Sequence, residues 1–595
     1  MALATLTALA WTGAGAVALA WARPGGGAAL ALLNRFGAGA LAFALLTFAA
    51  GYLHLLYAEA LVPLTVACAV LGAVVTVRTI RGSALPRVRE WPRWQQAVLA
   101  LIVLFALLDL VATCAPITSA DALYHHAANP KLFEHEHRIV ETPWAWNSYQ
   151  PYTVEMLVTD GFLLWDSVQG AFAPLLLALG AVAAIGLGAA REFGRAVGLL
   201  AAAVVFVNAF AVWLATSTFV EPGFMLMFAL AGWNAVRFVR TDRLDALVLA
   251  GTFAGGAAAV KYPAAVAAIV FALAAGFLAR RHLTLRRVLV FVAPAAAIAL
   301  PWYVKNLIVT GNPFYPLVFG GQNAEAERVR EASFEPYGFG TSPIDLVLLP
   351  FRLLVDAEPF DRGEFASPLF VIFAPLALLV REARRYTAPV LAAGLVLVVG
   401  WFYGSQHLRF LAPTAVYLAV LAAFGIRALA REGWLGRIVA AGTTTAAFAA
   451  ATVIAFVYVG QFVPVVTGRE SEATFLRNKV SYQDGTDWLN QNLPADAHVA
   501  LGHLFGLYLE RPYVIWVVDV LPLSAGPRAT RAFAARYRLT HAAVLASNGR
   551  PRAHQLGYLH ARLIARVPVR TIVSRTRSEE GPPDTLLVYA LGRSG

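Results

Sequence analysis

Long apolar runs alternate with short polar breaks along most of this chain. The runs fall at 3–22, 28–50, 58–77, 96–115, 170–190, 197–214, 219–236, 244–260, 263–280, 288–308, 367–381, 388–404, 409–428 and 438–463. Each approaches the roughly 17–25 apolar residues that cross about 30 Å of hydrocarbon. The pattern predicts a polytopic α-helical membrane protein with about 14 transmembrane helices. A membrane barrel would show short alternating segments instead. Every second break is basic. Arg78, Arg81, Arg87, Arg89 and Arg93 form one; Arg191 and Arg195 the next; then Arg237, Arg240 and Arg243; Arg280, Arg281, Arg286 and Arg287; Arg381, Arg384 and Arg385; Arg427, Arg431 and Arg437. Basic loops stay in the cytoplasm, so the other breaks are expected outside: 118–155, turns near Glu221, Lys261 and Arg409, a long loop 310–366, and everything after about 466.

Beyond 466 the apolar runs shorten to strand length, at 498–501, 513–520, 541–546, 571–574 and 585–590. Helix-like segments at 482–492 and 528–537 lie between them, which predicts a small C-terminal α/β domain. Three parts are expected: 1–95, N-terminal transmembrane helices with a basic cytoplasmic loop; 96–465, a transmembrane core with external loops 116–169 and 310–366; and 466–595, the external α/β domain. Within 310–366 the segment PIDLVLLPFRLLVDA has an apolar face suited to the bilayer surface, and loops of this length often serve as lids or binding segments. The first apolar run lacks a basic leader and reads as a span, not a cleaved signal.

Composition agrees. Of 595 residues, 59% are hydrophobic and 14% charged, against about 25% charged in soluble domains. A net charge of +12 could suggest nucleic acid in a soluble protein, but arginines in short loops account for it, and no nucleic-acid partner is expected. The two cysteines, Cys68 and Cys114, imply neither a disulfide framework nor a zinc motif.

The polar stretch 118–155 carries Asp121, His125, His126, Lys131, His135, His137 and Glu155. Other isolated polar residues sit in apolar surroundings: Glu221, Lys261, Lys305 with Asn306, and His407 with Arg409. Charge at membrane depth is costly and points to function. Each has an ordinary reading too. Thr118 and Asp121 fit a capping box, Glu221 a surface turn, and Lys261 and Lys305 cations that snorkel. All are nevertheless assigned to one side, and that convergence favours a shared external cavity. On a helix beginning at Asp121, Tyr124 and His125 share its face, an arrangement suited to a carboxylate base oriented by neighbours. His135 and His137 are too closely spaced to share a helix face, and H-E-x-x-H is absent. No cofactor is implied for certain; a divalent metal bridging Asp121 and a phosphate stays open.

The run DALYHHAANPKLFEHEHRI, followed by NSYQPYTVEML, resembles the first external loop of bacterial GT-C glycosyltransferases, the multi-pass enzymes related to lipid A aminoarabinose transferases and protein O-mannosyltransferases. TFVEPGFMLMFALAGW, GGAAAVKYPAA, PWYVKNLIVTGNPFYP and SQHLRFLAP resemble later segments of that family in the same order, covering about 118–413. Glu221 stands where Asp is more usual, which puts its role in doubt. The resemblance implies inverting transfer from a polyprenyl-phosphate-linked sugar to a hydroxyl-bearing lipid, glycan or protein, outside a bacterial inner membrane whose lipids surround the spans. Asp121 is then the base. Lys261, Lys305 and Arg409 bind the donor phosphate. Tyr124, His125, Glu155, Glu221, Asn306 and His407 bind sugar or acceptor. The alternatives are a transporter or flippase of lipid-linked saccharides, which would place its charges nearer the bilayer midplane, and a glycan ligase of related fold.

Overall fold

The computed structural model describes residues 2–22, 25, 27–83, 86–165, 168–320, 337–361, 366–381, 384–516, 520–574 and 579–592. Parts of the long loop, 321–336 and 362–365, therefore lie outside the described residues. The apolar runs become helices: α1 Ala2–Ala18, α2 Ala28–Tyr52, α3 Ala58–Arg81, α4 Arg93–Thr113, α5 Ala128–Glu136, α6 Thr153–Trp165, α7 Phe172–Phe193, α8 Arg195–Phe206, α9 Ala209–Thr216, α10 Glu221–Thr241, α11 Leu244–Ala258, α12 Tyr262–Leu278, α13 Leu285–Thr310, α14 Pro343–Val355, α15 Leu369–Phe373, α16 Arg384–Tyr403, α17 Ala412–Leu429 and α18 Gly433–Gly460.

Among the described residues nine helices are long and apolar enough to cross a membrane, or ten if α8 and α9, bent by 68°, form one span. The expected count of about 14 is too high by that measure. Four of the expected runs form shorter apolar helices, Ala2–Ala18, Leu244–Ala258, Tyr262–Leu278 and Leu369–Leu379, of 10–17 residues. At 1.5 Å per residue they reach at most about 26 Å, short of the roughly 30 Å of hydrocarbon. The α8–α9 bend has a local cause. The Asn208 side chain accepts from the Ala211 amide at 2.8 Å, capping α9 and starting it in a new direction.

Without a hydrophobic drive between helices in lipid, small residues let backbones approach. A β-carbon at Gly39 of α2 would lie 1.6 Å from the Trp11 carbonyl oxygen of α1, and one at Gly13 of α1 would lie 1.9 Å from that of Cys68 in α3. These three helices thus pack backbone to backbone.

Three helices begin at the same end of the bundle with proline in the first turn: α10 at Pro222, α12 at Pro263 and α17 at Pro413. Proline suits that position because its missing N–H is one the helix leaves unpaired anyway. The consequence is that Glu221, Lys261 and the short turn Leu408–Leu411 are gathered at neighbouring helix starts. The antiparallel α13 delivers Lys305 and Asn306 to that end as it finishes. In the long loop, Ser342 and Asp345 form a capping box that starts α14. Ile344, Val347, Phe351 and Val355 make an exposed apolar stripe along that helix, and Leu349 is buried.

The C-terminal part forms the expected small α/β unit. Five strands, β1 Val499–Leu501, β2 Tyr513–Ile515, β3 His541–Leu545, β4 Arg562–Val569 and β7 Asp584–Ala590, lie in the order β2-β1-β3-β7-β4. β1 is parallel to β2 and β3, while β7 is antiparallel to β3 and β4. A separate ribbon pairs β5 Ile572–Ser574 with β6 Glu579–Glu580. One face of the sheet packs on helices carrying Phe533 and Leu556. The other packs on Leu489. Residues 517–519 of the expected second strand lie outside the described residues. β4 was not expected: Pro568 interrupts its apolar pattern, and the strand occupies a sheet edge, where proline is tolerated.

Candidate active site

Asp121 and Arg409 lie 288 residues apart in sequence, and Arg409 Nη1 donates to Asp121 Oδ2 at 2.6 Å. No cap hydrogen bond forms around Asp121, so its side chain serves that ion pair and not the helix start. The helical stretch containing it departs from α geometry. Residues Ala122–His126 form a π turn, closed by the Ala127 amide on the Ala122 carbonyl at 3.0 Å. The wider turn buries both His125 and His126, their rings 4.0 Å apart. Such single π turns are frequent at functional sites.

Three further groups surround the pair. Glu221 is wholly buried and holds Lys261 at 3.3 Å. Lys261 lies 4.8 Å from the Phe410 ring centroid, and Arg409 sits over Phe219 and Phe410 at 4.9 and 5.5 Å. His126 Nδ1 contacts Glu155 Oε1 at 2.7 Å, both buried. His125, His126, Gln150, Glu155 and Lys261 line one small cavity. His125 Nδ1, His126 Nε2, Glu155 Oε2 and Glu221 Oε2 are buried without a hydrogen-bond partner among the described residues. Buried polar atoms are rarely left so; three of these belong to residues that line the cavity, and Glu221 is paired with Lys261, which lines it too.

Burial opposes ionisation of Asp121, yet the Arg409 guanidinium overcomes it and holds the carboxyl well below the usual carboxylate range. Its side chain still keeps 32% of its surface open to solvent. Burial pushes Glu155 up to about 8 and His125 down to about 3, and pushes His126 well below its ordinary value. Burial therefore disfavours charge on both members of the Glu155–His126 pair. His407 falls to about 3, again by burial. Its Nδ1 is 2.6 Å from the Ser405 hydroxyl, and its ring packs on Tyr337 and Phe410.

Lys305 and Asn306 stand beside this cluster. Lys305 Nζ donates to the Ser148 carbonyl at 3.0 Å and lies 5.5 Å from the Tyr149 ring centroid. Asn306 Nδ2 bonds the Tyr149 carbonyl and, at 2.9 Å, the Tyr262 hydroxyl. Both fix the 148–149 backbone. Tyr124 points away from Asp121: its hydroxyl donates to the Trp144 carbonyl at 2.5 Å. Trp144 in turn packs into the core of the C-terminal unit, near Tyr513 and Tyr537. That unit also grips both sides of Asp121. The Tyr508 hydroxyl donates to the Ile117 carbonyl at 2.8 Å, and the Gly506 amide to that of Leu123 at 3.3 Å. His137 turns elsewhere, bonding the Leu56 carbonyl at 2.9 Å and stacking on Tyr57.

Two contributors were missed from sequence. His126 would point sideways on an α helix carrying Asp121 and His125, and only the π turn brings it in; the His-His doublet was the available signal. Asp361 lies 3.6 Å from Arg409 Nε and comes from the long loop, where nothing marked it. No group of three or more His, Cys, Asp or Glu side chains able to hold a metal occurs among the described residues. Asp121 faces the Arg409 guanidinium.

Residues 167–322, which include Glu221, Lys261, Lys305 and Asn306, match the family model described as "Domain of unknown function (DUF8201)". Comparison with curated proteins finds no match. Solved structures do match. ArnT from Cupriavidus metallidurans bound to undecaprenyl phosphate aligns at 13% identity with a TM-score of 0.53, over 84% of this chain and 98% of that one. Its apo state aligns at 14% and 0.50 over the same shares. The oligosaccharyltransferase of Archaeoglobus fulgidus, with zinc and sulfate, follows at 13% and 0.45, over 75% of this chain and 67% of that one. The class defined is thus a multi-pass membrane protein with the fold seen in ArnT. ArnT shares that fold along nearly its whole length.

Proposed function

We propose that this protein is an inverting glycosyltransferase that moves a sugar from a polyprenyl-phosphate donor to an acceptor hydroxyl on the extracytoplasmic face of the membrane. The observation that carries the reading is the Asp121–Arg409 ion pair, set beside Lys261 at neighbouring helix starts in a GT-C fold. Asp121 takes the acceptor proton as its oxygen attacks the anomeric carbon. The bond from that carbon to the donor phosphate breaks, and the polyprenyl phosphate leaves with the electron pair. Charge grows on that phosphate, and Arg409 and Lys261 stabilise it. Arginine suits the task because it presents two parallel donors.

A carboxylate held by a guanidinium is a weak base. In this reading the donor phosphate draws Arg409 toward itself, the pull on Asp121 weakens, and basicity rises only once donor is bound. Glu221 pairs with Lys261 and places it, Glu155 and His126 supply a polar wall for sugar hydroxyls, and His125 and His407 border it. Lys305 and Asn306 serve the site by fixing the 148–149 backbone. The basic loops on alternate breaks support an extracytoplasmic site and C-terminal unit, which reporter fusions near His137 test; a cytoplasmic signal there overturns the orientation.

Asp121→Asn, purified and folded, is expected to lose about 10²- to 10⁴-fold in turnover, the usual weight of a general base. Product formation from labelled donor and acceptor measures it, and wild-type turnover in the variant removes Asp121 from the role.

A further inference from the structure

A second polar cavity lies at the other end of the helices. α10 starts at Glu221 in the candidate site and carries Arg237 and Arg240 in its last turns, roughly 25–30 Å further on at 1.5 Å per residue. There a cavity of about 590 Å³ opens between α2, α7 and α10, within the range of small-molecule pockets, about 300–1,000 Å³. Arg191, Arg237, Arg240 and Arg243 line it. Its floor is a buried amide pair, Asn234 Nδ2 donating to Asn34 Oδ1 at 2.6 Å.

Two carboxylates partly offset these cations. Arg240 meets Glu192 at 2.6 Å, while Arg237 and Arg243 share Asp245 at 3.2 and 2.9 Å. Four guanidiniums against two carboxylates leave an excess of positive charge. Topology alone asks only that arginines stay near the membrane surface; it does not ask for a cavity lined by them with an amide floor.

The cavity also adjoins hydrocarbon. Trp233 lines both it and an apolar groove of about 140 Å³ between α10, α12, α16 and α17. Arg240 hydrogen-bonds Tyr386, which lines the groove. Guanidiniums recognise phosphate oxygens by paired donors. A ligand with a phosphate head and an apolar chain fits both features at once.

We propose that the arginine-lined cavity binds the phosphate-bearing head of an anionic lipid, whose chain enters the groove beside Trp233. This site is separate from the one around Asp121 and does not depend on the reaction proposed there. Native mass spectrometry of the full chain, offered phosphatidylglycerol or phosphatidylcholine, tests it. Wild-type protein is expected to retain phosphatidylglycerol preferentially. Arg191→Gln with Arg243→Gln should weaken that retention about tenfold, the loss of one or two charge-assisted contacts. Arg191→Lys with Arg243→Lys should restore part of it, and Arg437→Gln, an exposed arginine elsewhere, should change nothing. Equal retention of the two lipids, or full retention by the double Gln variant with an unchanged melting temperature in phosphatidylcholine, overturns the proposal. Millimolar inorganic phosphate separates the sources. If it stabilises wild type but not the double variant while the two lipids behave alike, the cavity is a free-phosphate site and the lipid assignment falls.

Discussion

At the scale of single residues, the site is built from groups whose charge is set by burial or by a charged neighbour. Removing one partner of the buried Glu221–Lys261 pair leaves an uncompensated charge. Glu221→Gln is expected to cost about 3–5 kcal/mol, and Glu221→Gln with Lys261→Met to recover most of it; thermal unfolding of the two variants in detergent checks the difference. Glu155 gives a pH signature. Folded, it keeps its proton up to about 8, whereas the ordinary carboxyl releases it near 4.5. The folded state therefore binds more protons across that window, and stability falls as pH rises through it, levelling off above. His125 and His126, held neutral, act in the opposite sense below their ordinary value of 6.5, so the Glu155 slope is clearest between 6.5 and about 8. Melting temperatures of Glu155→Gln across this range should lack the decline seen in wild type. Glu221, Lys261 and Arg409 stood out in the sequence because charge in apolar surroundings is conspicuous, and Asp121 stood out as an acid in the polar stretch 118–155. Their pairing did not, because a contact between residues 288 apart in sequence is decided by how the helices meet.

At the scale of elements, apolar runs and the basic breaks between them marked the bundle helices, and strand-length runs marked most of the C-terminal sheet. What escaped were geometries without a compositional signature: the π turn that swings His126 inward, the edge strand β4, and the four helices too short to cross unaided. Apolarity measures what an element packs against, lipid or protein, and a buried 15-residue helix such as α11 satisfies it as well as a span does. The C-terminal unit makes a testable element-scale contribution. Tyr508 tethers the backbone just before Asp121. Tyr508→Phe deletes one hydrogen bond, about 0.5–1.5 kcal/mol. If that energy holds the carboxylate in place, turnover should drop about two- to tenfold with donor KM unchanged, as steady-state kinetics would read.

At the scale of the whole molecule, two charged clusters lie at opposite ends of an apolar bundle. One end carries the candidate active site and the docked α/β unit, and the other carries the arginine cavity. The backbone contact of α1, α2 and α3 has a consequence for biogenesis. These helices precede the loop 118–155 in the chain, and their close fit at Gly13 and Gly39 is made among themselves. They can settle in the bilayer as a preformed wedge while the loop 118–155 is still untranslated. Gly39→Ala should therefore act on manufacture: membrane-integrated yield should fall severalfold, with kcat of the surviving molecules unchanged, as quantitative immunoblotting alongside specific activity would show. Damage in these helices would then be felt as scarcity of the protein, not as an altered site.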